Sequence, residues 1–309
     1  MPKRIRTGTC AKHNILERMN TMQQPHYKSN YELKLIARSQ TGQHLGILLG
    51  TVVLKFIITS LIANVISSMI PAGTITGYVI NYILLFAVEV AASILSVGAS
   101  LIFLKTACGM KSSLEDLFFG LHNNTVKILK VGTVIVLIES ICAIPLDIAS
   151  LQYTDIVDAI PFFSENNVNS FSPFISGSLN NNDEFIKVYG EFAEAYSILY
   201  SATMKLCLIM LVCFTISLIL TLPFFPAFYM ILDFPDWNVS TILKRSFEVM
   251  SGNKLRLFLL YLSFIPSVLL SALACGIPLL WVIPYMNMTT TNFYLDLMSV
   301  RNKSIVSVS

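Results

Sequence analysis

The stretch SFEVMSGNKLRLF, Ser246–Phe258, decides how the chain is read, because it is polar and basic yet runs straight into an apolar segment. Upstream of it, Asn238 or Ser240 can cap a helix, since a short side-chain oxygen satisfies N–H groups that have no partner in the first turn. Ile242, Phe247, Val249 and Met250 supply an apolar face, and Lys244, Arg245 and Lys254 a wet one. Ser251-Gly252-Asn253 is a stop signal, because Gly tolerates the left-handed backbone that ends helices. The pattern predicts an amphipathic helix over about 239–251, a turn, and then a membrane span. Such a helix belongs on the cytoplasmic surface of a bilayer. Each Lys or Arg there gains about 1 kcal/mol from anionic lipid.

Composition supports that setting. Of 309 residues, 54% are hydrophobic and 13% charged, with a mean hydropathy of +0.68. Soluble domains carry about 25% charged residues, so most of this chain has no water to face. A span needs about 20 apolar residues. The expected fold is all-α, a polytopic transmembrane bundle of about six spans with interfacial helices. The spans fall near Gly46–Ile70, Tyr78–Ala107, Ile128–Leu151, Tyr196–Leu232, Leu255–Cys275 and Ile277–Leu297. Gly276 and Pro278 break the last two apart, the alternative being one long span with a re-entrant segment.

Charge sets the orientation. Residues 1–44 hold eight Lys/Arg against two Glu, and further basic residues flank spans two to six on the same side. The loop at about 152–195 is acidic, with Lys187 its one basic residue. The positive-inside rule then places both termini in the cytoplasm of a cell-membrane protein. This divides the chain into a cytoplasmic segment 1–44, a membrane domain 45–298 and a tail 299–309. Ser164–Asp183 reads as a mobile Asn/Ser-rich loop, and the spacing of Phe185, Val188, Tyr189, Phe192 and Tyr196 predicts a helix entering span four. Membrane lipid is the expected partner, with a protein partner at the cytoplasmic surface; no concentrated basic stripe suggests nucleic acid.

Charges within apolar segments point to function. Lys55, Glu89, Glu139 and Lys205 lie inside spans, and Asp147 lies near the outer end of one. An ionised group at mid-bilayer costs about 2.5–3.5 kcal/mol on insertion scales, so such residues are expected to face the bundle interior and pair. Glu89 with Lys205 is one allowed pair and Lys55 with Glu139 another. LPFFP, Leu222–Pro226, should break span four, since each Pro removes an N–H and clashes with the preceding turn. Gly46-x-x-x-Gly50 could admit a close helix. Trp281, Tyr285 and Tyr294 suit an interfacial belt.

The region Tyr229–Ile265 also resembles the bacterial membrane-protein family known as domain of unknown function 975. Asp233, Pro235, Ser246, Met250, Gly252 and Lys254 stand at the motif positions, followed by Leu257, Phe258, Ser263 and Phe264. Trp281, Pro284, Tyr285, Phe293 and Tyr294 match its ending, Glu32, Leu33, Lys34 and Ala37 its opening motif, and Leu114, Asp116, Leu117, Phe118 and Gly120 its inner loop. LPFFP departs from a Pro-Gly usual there, and the Asn-rich loop is unusual. The resemblance implies a polytopic inner-membrane protein of a bacterium and no established activity.

No Walker loop, H-E-x-x-H or G-x-S-x-G is present. His13, His26, His44 and His122 are scattered, so no metal or other cofactor is expected, and the six Cys predict no disulfide framework. The chain therefore reads as a non-enzymatic accessory or scaffold component of an envelope or export system. The alternative is a solute or lipid transporter using Lys55, Glu89, Glu139, Lys205 and the broken fourth span.

Overall fold

The structure is a computed structural model that describes residues 27–70, 75–159 and 182–306. Among them every regular element is helical. Helix α1 is Asn30–Ser68 and α2 Ile75–Ala107; a 3₁₀ turn, Leu114–Phe118, leads into the short α3, Phe119–His122. Helices α4, Thr125–Ala159, and α5, Asn182–Thr221, are the long central pair in sequence. A second 3₁₀ turn, Leu222–Phe224, precedes α6, Ala227–Asp233, and α7, Val239–Met250. Then come α8, Lys254–Leu262, α9, Ile265–Leu273, and α10, Leu279–Val306.

Among the described residues, five segments are long and apolar enough to cross a membrane: Asn30–Ser68, Thr76–Ala107, Thr125–Val157, Phe192–Asp233 and Lys254–Leu273. The expected sixth span, within α10, falls outside that set. Its 28 residues are long enough, but Thr289, Thr290, Thr291, Asn292 and Asp296 interrupt its apolar run. All five are buried in protein. Thr289 and Thr291 donate to the carbonyls of Tyr285 and Asn287 at 2.7 and 2.8 Å, and Asn292 Nδ2 donates to Gln40 Oε1 at 2.6 Å. The polar side chains are satisfied inside the fold, so mean hydropathy understates how α10 is accommodated.

The last two segments are separate helices, not one. Cys275 and Gly276 take φ values of 54° and 76°, and the chain reverses over residues 274–278. Helices α8–α9 and α10 form an antiparallel hairpin. Arg256 meets Asp296 at 2.6 Å near its open end, and the Phe264 and Tyr285 rings lie 5.3 Å apart nearer the turn.

Two compact units divide the chain: residues 1–136 with 221–309, and residues 137–220. In the first, Leu48, Ile102, Phe103, Leu117 and Met288 form a buried cluster. Helix α1 opens with a capping box: Ser29 Oγ accepts from Glu32 N at 3.2 Å and Glu32 Oε2 accepts from Ser29 N at 2.7 Å. This gives the motif residue Glu32 a structural role. The helix kinks at His44, φ −124° and ψ 23°, where the polar opening gives way to apolar sequence. Close approach occurs at Gly98, where a Cβ would fall 1.9 Å from the Leu117 carbonyl oxygen. Within the chain it does not occur at the expected glycine pair: a Cβ on Gly46 would meet nothing within 4 Å, and one on Gly50 only the Leu114 side chain.

The second unit comprises α4 from Leu137 and α5 to Leu220. Tyr153 and Thr203 hydroxyls lie 3.3 Å apart across it. Helix α5 runs unbroken from Asn182, as the aromatic spacing predicts, and Phe192, Tyr196 and Tyr200 stack along it at 6.3 and 6.2 Å. Leu208, Leu211 and Phe214 point outward, as side chains facing lipid do. The expected loop over Ser164–Asp183 lies almost wholly outside the described residues. Among the described residues, Cys142, Cys207, Cys213 and Cys275 are free thiols.

Candidate functional site

The motif residues converge where α5 breaks. Pro223 and Pro226 end α5 in a 3₁₀ turn, with Pro226 at the N-cap of α6. A broken helix frees carbonyls that need partners in a dry setting. Ser246, fully buried on α7, supplies one: its hydroxyl donates to the Pro223 carbonyl at 2.8 Å. The serine thus fastens α7 to the break.

Asp233, at the end of α6, accepts a hydrogen bond from Tyr294 at 2.6 Å. Tyr294 is fully buried and stacks on Tyr229, centroids 4.7 Å apart, whose hydroxyl lies 3.0 Å from Thr291 Oγ1. Tyr294 is therefore an interior side chain and not part of an interfacial belt, whereas Trp281 is half exposed. Phe225 meets Phe293 edge to face at 6.1 Å. The Pro235 carbonyl, between α6 and α7, accepts from Lys127 Nζ.

Helix α7 ends as its sequence predicts, with Gly252 at φ 82°. Asn238 occupies the N-cap, but its side chain makes no capping hydrogen bond. Ile242, Ser246, Val249 and Met250 are buried. Two expectations change. Ser246 and Met250 do not belong to a surface motif, because α7 turns them onto the 3₁₀ turn and α6. Phe247 does not join the apolar face: it is 50% exposed, and Lys254 Nζ sits 4.1 Å from its ring centroid. Lys244 and Arg245 also face outward, Arg245 pairing with Glu248 at 2.9 Å.

The strongest contact is one that sequence reasoning missed. Arg256 Nη2 pairs with the buried Asp296 at 2.6 Å and donates to the Lys28 carbonyl at 2.5 Å. Asp296 also accepts from the Lys28 N–H at 3.2 Å. The guanidinium lies 4.6 Å from the Phe293 ring and 5.0 Å from that of Tyr27. One ion pair thus ties the start of α1, α8 and α10 together. The signal was present: Asp296 is an acid inside the aromatic run NFYLDL. A second pair, Lys105–Asp116 at 2.7 Å, joins the end of α2 to the 3₁₀ turn after it.

The in-span charges lie elsewhere. Glu89 is exposed on α2 and Lys55 half-buried on α1, both in the first unit; Glu139 and Lys205 are exposed in the second. Lys55 and Glu139 have interaction partners. In the first unit, buried or partly buried polar contacts are made by Asp233, Ser246, Arg256, Asn292, Tyr294 and Asp296. Among the described residues, no three His, Cys, Asp or Glu side chains gather as metal ligands would.

The chain belongs to the family described as protein of unknown function (DUF975), whose profile matches residues 19–301. No curated protein matches the chain. No solved structure matches it either.

Proposed function

We propose that this multi-pass membrane protein is a non-catalytic scaffold, an accessory component of a bacterial envelope or export system, that holds a protein partner on the outward face of α7. One observation carries the reading. The apolar face of α7 is already taken up inside the fold, by Ile242, Ser246, Val249 and Met250. A helix resting on lipid would keep that face for the bilayer. What remains outward is Thr241, Lys244, Arg245 and the Lys254-braced ring of Phe247. An exposed aromatic among cations is the composition of an interface anchor.

The contacts also support one topology. Lys28, Arg256 and Asp296 meet at a single point, so the start of α1, the start of α8 and the later part of α10 share one membrane face. The Lys/Arg-rich flanks support reading that face as the cytoplasmic one. For transport through the broken span, Leu222–Pro226 would need unsatisfied backbone facing a cavity, whereas the Pro223 carbonyl is held by Ser246.

The test is site-specific photo-crosslinking in native membranes. A crosslinker at Phe247 should give a discrete protein adduct that disappears when Lys244 and Arg245 are changed to Glu. A crosslinker at Leu211 should give lipid adducts. Lipid adducts alone at both positions would refute the scaffold reading.

A further inference from the structure

Phe192, Tyr196 and Tyr200 recur every fourth residue, which sets them on one face of α5. Tyr189 continues the row by one more turn. The rings stack in series, yet Tyr189, Tyr196 and Tyr200 are each more than half exposed. We propose that this aromatic face docks an extended, cationic peptide segment of a partner. The inference does not rest on the scaffold reading.

Height argues against the bilayer as the occupant. In the second unit the Tyr153 and Thr203 hydroxyls lie 3.3 Å apart, which sets α4 and α5 level at those residues. Both helices turn polar there. Ser150, Gln152, Thr154 and Asp155 close the apolar run of α4, and Ser201, Thr203 and Lys205 precede the apolar run Leu206–Phe214 of α5. That level is where the hydrocarbon ends. At 1.5 Å per residue, Tyr200 stands about 5 Å, Tyr196 about 10 Å and Phe192 about 16 Å beyond it along α5. The headgroup layer is about 5–8 Å deep on each side, so the upper rings project past it.

Charge and spacing then identify the occupant. Residues 151–195 hold seven Asp/Glu against Lys187. Asp155 and Glu194 are exposed, and they bracket the row, about 3 Å and about 14 Å beyond the Tyr153–Thr203 level. Aromatic faces attract cations, Arg above all, and an acidic surround raises the local concentration of a cationic partner. Successive ring centroids lie 6.3 and 6.2 Å apart. An extended peptide repeats the side chains of one face about every 6.6 Å, so alternate basic residues meet successive rings.

The test is fluorescence anisotropy with the full chain in phosphatidylcholine nanodiscs and two labelled peptides, one of alternating Arg and Ser, the other of alternating Glu and Ser. We expect the Arg peptide to bind and the Glu peptide not to. Each exposed cation–π contact contributes about two- to fivefold in affinity. Tyr196→Leu should therefore weaken binding about two- to fivefold, and Tyr196→Leu/Tyr200→Leu about five- to thirtyfold. Tyr196→Phe/Tyr200→Phe should keep it, since the rings remain. Asp155→Asn/Glu194→Gln should weaken it, as should added salt. Binding of the Arg peptide that ignores both Leu variants, or equal binding of the Glu peptide, overturns the proposal. So does quenching of a Tyr196→Trp variant by lipid brominated near the headgroup, which would make the row a membrane belt.

Discussion

Replacing Asp296 by Asn removes a charge without changing shape. The carboxylate is 2% exposed and accepts from both Arg256 and the Lys28 N–H. The variant leaves the guanidinium, 18% exposed, facing an amide between two aromatic rings. Breaking one half of a buried pair costs about 3–5 kcal/mol, because the remaining charge keeps its desolvation penalty and loses its partner. Folded proteins stand only about 5–15 kcal/mol above their unfolded states. At about 2–4 °C per kcal/mol, melting of the detergent-solubilised protein should fall by about 6–20 °C. Fluorescence-detected size-exclusion after heating measures this directly. Arg256→Met should cost a similar amount. The double variant Arg256→Met/Asp296→Leu should cost less than the sum of the singles, since an apolar pair of similar volume leaves no buried charge. If Asp296→Asn melts within about 2 °C of the parent, or the two changes simply add, the pair is neither dry nor coupled and the clamp at α1, α8 and α10 is misread.

Two further changes test the break and the close approach. Ser246→Ala leaves the buried Pro223 carbonyl without its donor and should cost about 1–3 kcal/mol, read by the same heating assay; Ser246→Thr, which keeps a hydroxyl, should lose less if the lost bond is the cause. Gly98→Ala drives a methyl toward the Leu117 carbonyl, 1.9 Å from its ideal position, and should cost about 1–3 kcal/mol or more, whereas Gly46→Ala, with open space around it, should be silent.

Most of the helical layout could be read from hydropathy and turn residues, because those signals are local. The stop at Gly252, the reversal at Gly276, the break at Pro223 and Pro226 and the long run of α5 follow from backbone constraints that one residue imposes on its neighbours. Helix α10 was expected as the sixth span, yet it falls outside the segments apolar enough to cross a membrane, although its polar residues are satisfied by contacts within the fold. Its threonines, Asn292 and Asp296 count against a span when averaged, yet each finds its partner on another turn or another helix. Hydropathy records what a residue is, not which way it faces. The glycine pattern failed similarly: Gly46 and Gly50 have the spacing of a packing motif, but a close approach needs a partner chain at that place. Gly98, with no pattern around it, is where the chain passes.

The same distinction separates the two guesses about function. Lys55, Glu89, Glu139 and Lys205 drew attention because isolated charges in apolar sequence are costly, and they were expected to be buried together. A buried ion pair forms instead between Arg256 and Asp296, which sit 40 residues apart in sequence and belong to different helices. The motif that carries the family resemblance divides in the same way. Ser246, Met250 and Asp233 fasten α7 and α6 to the interior, so their identities answer to packing and to one freed carbonyl. Lys244, Arg245 and Phe247 face outward, where Arg245 meets only Glu248 of its own helix and the Phe247 ring only Lys254. Helix α7 is held to the interior by Ile242, Ser246, Val249 and Met250, which cover its apolar face. Its outward residues are therefore where a contact with another molecule would be read.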